Sequence, residues 1–180
     1  MPHHTAAEIA SQPEVWARVL RRTGQARPVL AAPGERVLVV GCGTSWYVAA
    51  CLARLREDAG LGETDAGCAA DPPRRRYDRV LAITRSGTTT EVLDALRGQP
   101  AGTRRVAVTA SAGAPVEDLA DDVLLLAEAD ERSVVQTRFP TAVVALGRAV
   151  FGGEPEGLVA AGAAALAAPL PVRPDEVDHV

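Results

Sequence analysis

Lysine is absent from this chain of 180 residues, whose positive charge rests on arginine alone. A Walker-type phosphate loop needs Gly-Lys-Ser/Thr and is therefore excluded. Histidine is confined to His3, His4 and His179. No interior imidazole exists for a Ser–His–Asp triad or a histidine metal site, and terminal histidines are ordinarily solvated. Cysteine is scarce: Cys42, Cys51 and Cys68 are odd in number and lack C-x-x-C spacing. That pattern gives neither a disulfide framework nor a zinc site, and neither metal nor cofactor is expected. Aromatic residues amount to two Trp, two Tyr and two Phe, so Ala, Val and Leu must build the core. The formal charge of −4 argues against a nucleic-acid partner, which would need a basic face. No apolar run is long enough to span a bilayer, and Met1-Pro2-His3-His4 lacks a signal core. The expectation is a cytoplasmic protein with no membrane partner.

What the chain does contain is a repeated alternation. Ala6 to Arg22 reads as an amphipathic helix with an apolar stripe of Ile9, Val15, Trp16, Val19 and Leu20, with Pro13 dividing it or opening its main part. A polar, proline-containing stretch follows from Thr23 to Glu35. Compact apolar runs then read as strands at Arg36–Val40, Arg79–Thr84, Arg105–Thr109 and Val123–Ala127, with a weaker one near Thr64–Cys68. Helical composition separates them: Ser45–Glu57, about Thr89–Arg97, and a short helix around Val116–Ala120. Thr141–Val150 is a helix with Thr137 as N-cap, and Gly157–Ala168 is a last, Ala-rich one. Short continuous β-branched runs alternating with helices predict a parallel sheet covered on both faces, with any ligand beyond the C-terminal strand ends.

Two runs fall at those ends: Gly41-Cys42-Gly43-Thr44-Ser45, and Thr84-Arg85-Ser86-Gly87-Thr88-Thr89-Thr90-Glu91. Glycine admits a close approach, a helix start offers unpaired N–H groups, and hydroxyls add donors, which together suit an anion. A Rossmann fingerprint would need glycine where Trp46 stands. Consecutive threonines favour a helix start over its interior, and Glu91 is placed to close a capping box onto Thr88. A well-capped helix alone accounts for Thr88 and Glu91, but leaves Arg85, Ser86 and Gly87 unexplained. Arg74-Arg75-Arg76 reads as an exposed loop face, and Asp121-Asp122 as the start of a strand.

The order strand, Gly-Cys-Gly-Thr-Ser, helix, then strand, Ser/Thr-x-Ser-Gly-x-Thr, helix, then Glu131-x-Ser133-Val134-x-x-Thr137 resembles the sugar isomerase (SIS) domain family. It is similar to the first SIS half of isomerizing glutamine–fructose-6-phosphate aminotransferase and to related ketose/aldose-phosphate isomerases and deaminases. The likeness spans about Ile9 to Gly153. It implies an α/β fold, a flavodoxin-like three-layer sandwich with a parallel sheet, plus an N-terminal helix. It also implies that Gly43, Thr44 and Ser45 line the sugar and phosphate side of a pocket. Thr84, Ser86 and Thr89 would bind phosphate with Gly87 giving backbone access, and Gln136 would touch the sugar. Arg85 stands where the aminotransferase type has glutamine, adding a charge that could pair with phosphate.

The resemblance also bears on what is missing. Pro2 stands where a glutaminase domain would carry its cysteine nucleophile. The family's catalytic glutamate, histidine and lysine belong to a second SIS half, so no catalytic residue is assigned here, although Glu131 is the best local carboxylate. The expected organisation is a helical arm at 1–22, a phosphosugar-binding domain at 23–153, and a helix and linker at 154–180 leading to an absent second half. Two functional readings stand at this point. One is a unit that binds a hexose or amino-hexose 6-phosphate in an isomerase or deaminase lineage and is inactive alone. The other is a non-catalytic sugar-phosphate sensor. Its partner would be a second copy in a homodimer, or a chain supplying the second half.

Overall fold

Continuous β-branched runs can be buried only where both faces of a sheet are covered, and that is how they are used. The computed structural model describes residues 4–169, so His3, His179 and most of the C-terminal linker lie outside the described residues. The chain runs α1 (His4–Ala10), α2 (Gln12–Leu20), α3 (Thr23–Leu30), β1 (Val37–Gly41), α4 (Thr44–Asp58), β2 (Thr64–Cys68), β3 (Arg79–Ile83), α5 (Thr90–Arg97), β4 (Arg104–Thr109), β5 (Asp122–Leu125), α6 (Arg138–Val150) and α7 (Leu158–Ala167). All strand pairs are parallel, in the order β2-β1-β3-β4-β5. This is the expected α/β three-layer sandwich with flavodoxin-like strand order.

Every residue of β1 and β3 is buried. Side chains alternate across the strand pleat, so the sheet divides its apolar residues between two cores. Val37, Val39, Leu81, Ile83, Val106 and Val108 join Val19, Leu30, Leu52, Phe139 and Leu146 of the helices on one face. Leu38, Val40, Val80, Ala82 and Ala107 meet Val92, Leu96 and Val116 on the other. At about 25 cal/mol per Å² of apolar surface, each buried Val, Leu, Ile or Phe side chain among them contributes about 1.5–3 kcal/mol.

The N-terminal region departs from a single helix followed by a loop. Pro13 lies in the first turn of α2, where its missing N–H costs little, and the chain breaks between α1 and α2 there. Thr23–Leu30 is helical despite Pro28. Burying Ala26 and Leu30 in the core outweighs the hydrogen bond that Pro28 cannot make. The helix expected around Val116–Ala120 contracts to a single 3₁₀ turn at Glu117–Leu119.

At the N-terminal edge of the sheet sits a fully buried arginine. Arg56, in the last turn of α4, donates from Nε to the Ala31 carbonyl (2.9 Å) and from Nη2 to the carbonyls of Ala32, Glu35 (3.0 Å) and Leu61 (2.9 Å). Its Nη1 reaches the Gly62 and Glu63 carbonyls and Thr64 Oγ1 (2.7 Å). Burial lowers its pKa from the ordinary value, the Glu35 charge opposes that, and Arg79 adds to it. Ala32, at φ +40°, holds a left-handed conformation that costs an L-residue about 1–2 kcal/mol. Arg79 closes the same edge with a two-point pair onto Glu35 (2.7 and 3.0 Å).

Arg56→Met should therefore lower the unfolding free energy by at least about 3 kcal/mol, because it strands buried carbonyls. Arg56→Lys should not restore it, since an ammonium cannot span the same fork of acceptors. Urea denaturation measures both, and a loss below about 1 kcal/mol for the methionine variant would contradict this account.

Candidate functional site

In an open parallel sheet, ligands bind outside the carboxyl ends of the strands, where the strand order reverses. Here β2 and β3 flank β1 on opposite sides, so the switch point lies between β1 and β3. Their register pairs Gly41 with Ile83, so the runs beginning at Cys42 and Thr84 leave the sheet side by side.

The first run turns directly into α4. A Cβ on Gly41 would stand 2.5 Å from the Ser45 carbonyl carbon and oxygen, so only glycine lets the helix start this close to the strand. Gly43 is the N-cap and makes no side-chain cap bond. Ser45 N–H bonds Cys42 O (3.1 Å) and Trp46 N–H bonds Gly43 O (3.1 Å). Among the described residues, no acceptor meets the N–H groups of Gly43 and Thr44. Gly43 and Thr44 are exposed and Ser45 is buried.

The second run is a tight loop pinned from within. Thr84 is buried; its Oγ1 accepts the Gly87 N–H at 3.2 Å and lies 3.5 Å from Thr89 Oγ1. Gly87 has φ +67°, and a Cβ there would overlap the Ala114 methyl and stand 3.0 Å from Val116 Cγ1. Ser86 Oγ is half-buried and accepts from Thr88 N–H (3.3 Å) and Thr88 Oγ1 (3.0 Å). The capping box expected between Thr88 and Glu91 does not form. The Thr88 N–H that Glu91 would need goes to Ser86 Oγ instead, and the N-cap is Thr89, with no side-chain cap bond. The Thr89 and Thr90 N–H groups consequently meet no acceptor among the described residues. The Thr88 and Thr90 hydroxyls join this edge as well. The signal for them was the threonine run itself.

The third segment, 131–137, is organised by a buried carboxylate. Glu131 is 2% exposed. Its Oε2 accepts from Thr137 N–H (2.7 Å) and Arg138 N–H (3.0 Å), and its Oε1 from Phe139 N–H (3.1 Å). Glu131 is thus neither solvated nor free for acid–base chemistry. It caps α6, a role in which a carboxylate also favours the positive end of the helix dipole. Thr137 is the N-cap by position, but its own hydroxyl does not cap. Gln136 Oε1 is buried with no hydrogen-bond partner among the described residues. Val134 and Val135 are 98% and 68% exposed.

Arg85 is drawn to this segment. Its Nη1 pairs with Asp130 Oδ1 (3.2 Å) and donates to the Glu131 carbonyl, while Nε is buried without a partner. As placed, its charge is matched by Asp130 and is not left over for an anion. The crevice therefore offers neutral donors: two uncapped helix starts and the hydroxyls of Thr44, Ser86, Thr88 and Thr89. No group of three potential metal ligands occurs among the described residues. No helix among them is long and apolar enough to cross a membrane. Thr44 also lines an apolar groove of about 430 Å³ with Trp16, Tyr47, Val48, Val144 and Leu158.

Neither a protein-family model nor a curated protein matches the sequence. Solved structures share its fold. Tagatose-6-phosphate ketose/aldose isomerase from Escherichia coli superposes with a TM-score of 0.76 at 20% identity, over 92% of this chain and 54% of that one. The C-terminal domain of glucosamine-fructose-6-phosphate aminotransferase from Francisella tularensis gives 0.69 at 17% identity, over 84% and 46%. A protein from Escherichia coli CFT073, solved as a complex with a ligand, gives 0.64 at 18% identity, over 91% and 90%. The chain spans about half the length of the first two and most of the third. The three-layer α/β fold expected from the SIS resemblance is the fold of these neighbours.

Gly87→Ala should destabilise the protein by about 1–3 kcal/mol, through a positive φ and a methyl overlap. Glu131→Ala should also cost about 1–3 kcal/mol, by uncapping α6. Thermal unfolding of both variants is the check. A melting temperature unchanged by Glu131→Ala would contradict the cap.

Proposed function

We propose that this chain binds a phosphorylated sugar, a hexose or amino-hexose 6-phosphate, at the C-terminal edge of β1 and β3. The observation that carries this reading is the pair of uncapped helix starts on adjacent strands at the switch point. The Thr89 and Thr90 N–H groups and the Ser86 and Thr89 hydroxyls would take the phosphate, with Gly87 keeping the backbone close. A helix N-terminus with several neutral donors suffices to hold an anion. Gly43, Thr44 and Gln136 would meet the sugar, and Thr84 and Ser45 would support the two loops from beneath. The named activities of the structural neighbours favour the same class.

Moving a proton between adjacent sugar carbons needs a base within hydrogen-bond reach. Glu131 is committed to α6, and His4 lies on α1, beside Glu8 and Arg138 in a different cavity. The chain is accordingly read as a binding unit whose acid–base groups come from a second SIS unit, in another copy or another half. Trp46 and Tyr47, both exposed beside the crevice, and Val134 and Val135 on the 131–137 segment support cover by such a unit. The commitment of Glu131 to α6 equally supports the sensor reading, in which binding has no turnover.

Calorimetric titration with fructose 6-phosphate and glucosamine 6-phosphate tests the proposal. Binding should weaken about tenfold in Ser86→Ala and in Thr89→Ala, roughly 1.4 kcal/mol for one lost hydrogen bond to phosphate. If no sugar phosphate in a small panel binds the wild type, the proposal fails. Turnover by the wild type that Ser86→Ala abolishes selects the enzyme, whereas binding without turnover selects the sensor. Light scattering checks the partner: the expected mass is that of a dimer.

A further inference from the structure

α1 attaches to the protein in an unusual way. Of its seven residues one is buried, and that residue is Glu8, 6% exposed. Ile9 remains at the surface. Carboxylates are almost never fully buried unless paired, so a helix whose sole buried side chain is glutamate docks through a polar contact and not through an apolar face. The contact is specific. Glu8 Oε1 accepts the Arg132 N–H at 2.6 Å, and both carboxylate oxygens lie 3.3–3.4 Å from the Ser133 N–H. Thr5 Oγ1 meets Ser133 Oγ at 2.9 Å, and Arg138 Nη1 reaches Ser11 Oγ at 3.1 Å.

We propose that Glu8 is a positioning residue for the 131–137 segment, fixing the stem from which Gln136 reaches the sugar side of the crevice. This rests on the sugar-phosphate reading of that site. Two carboxylates hold the backbone N–H groups of the segment, while Arg85 holds the Glu131 carbonyl. Glu131 fixes its exit into α6, and Glu8, from a helix 124 residues away in sequence, fixes its entry. Between them the tip carries Gln136 and two exposed valines. The groups around Glu8 are His4 on its own helix, Asp130, Glu131 and Arg132 on the segment, and Arg138 on α6. Burial pushes the Glu8 carboxyl up, but the Ser133 hydroxyl, the Arg132 and Ser133 N–H groups and the Arg138 charge together hold it below its ordinary value. A depressed folded pKa means the anchor is in place above the ordinary carboxylate range and is lost as pH falls through the depressed value.

The experiment compares wild type, Glu8→Gln and Glu8→Ala by amide hydrogen exchange and by titration with fructose 6-phosphate and with inorganic phosphate. In Glu8→Ala, exchange at Arg132 and Ser133 should quicken at least tenfold while the amides of β1, β3 and β4 keep their protection. Affinity for fructose 6-phosphate should fall about tenfold. Affinity for inorganic phosphate, which needs only the Ser86–Thr90 edge, should stay within twofold. Glu8→Gln keeps an acceptor oxygen and should recover part of both losses. Unchanged exchange at Arg132 and Ser133, or unchanged fructose 6-phosphate affinity alongside faster exchange, overturns the proposal, as does equal weakening of both ligands. If the wild type binds no sugar phosphate, the reading of the site falls instead, and the exchange arm alone decides whether Glu8 anchors the segment.

Discussion

The guanidinium of Arg56 is the constraint on which the geometry of α4 depends. It is buried without a carboxylate partner, and its hydrogens are distributed over carbonyls from the α3–β1 and α4–β2 connections. A charge in that position is tolerable only if its N–H groups find acceptors, so the two loops are held in the one arrangement that supplies them. The result fixes the C-terminal end of α4 against the sheet. The opposite end is fixed by the Gly41–Ser45 contact, too close for any Cβ. With both ends of the helix set, its uncapped N–H groups are aimed into the crevice and are not free to drift. One end of α4 is closed by a cation caged in carbonyls, and the other leaves the Gly43 and Thr44 N–H groups without an acceptor among the described residues.

The charges elsewhere follow the same economy. The chain carries many arginines, yet the crevice is not cationic. Arg85 is matched by Asp130, Arg79 by Glu35 and Arg104 by Asp122. Two carboxylates of the surrounding segments, Glu131 and Glu8, are engaged with backbone N–H groups. An anion at the switch point would thus be held by dipoles and neutral donors at short range. Such contacts are less sensitive to ionic strength than an exposed ion pair.

The chain shares its fold both with proteins about twice its length and with one of nearly its own length. A single sheet of this kind is therefore shared by chains of both lengths. The apolar groove running past Thr44, Tyr47 and Leu158 and the exposed Val134–Val135 pair lie on helices and loops that border the crevice. Cover over that region would also exclude water from it, which strengthens every hydrogen bond to a bound phosphate.

Much of the architecture is legible in the chain itself, because it depends on neighbours in sequence. Val37–Val40, Val80–Ile83 and Val106–Val108 are too short and too β-branched to be anything but buried strands, and a glycine–hydroxyl run at a strand end marks a helix start wherever it occurs. Those local rules placed Gly43, Ser86 and Gly87 at one edge before any packing was known. Tertiary structure decided the rest. Thr23–Leu30 became helical because a core was waiting for Leu30, against the local bias of Pro28. The Thr88 N–H went to Ser86 Oγ and not to Glu91, so no capping box formed. Arg85 turned to Asp130, and Glu131 and Glu8 became backbone anchors. Each of these outcomes is a competition between a local preference and a partner remote in sequence, and only the folded chain brings that partner within hydrogen-bonding distance.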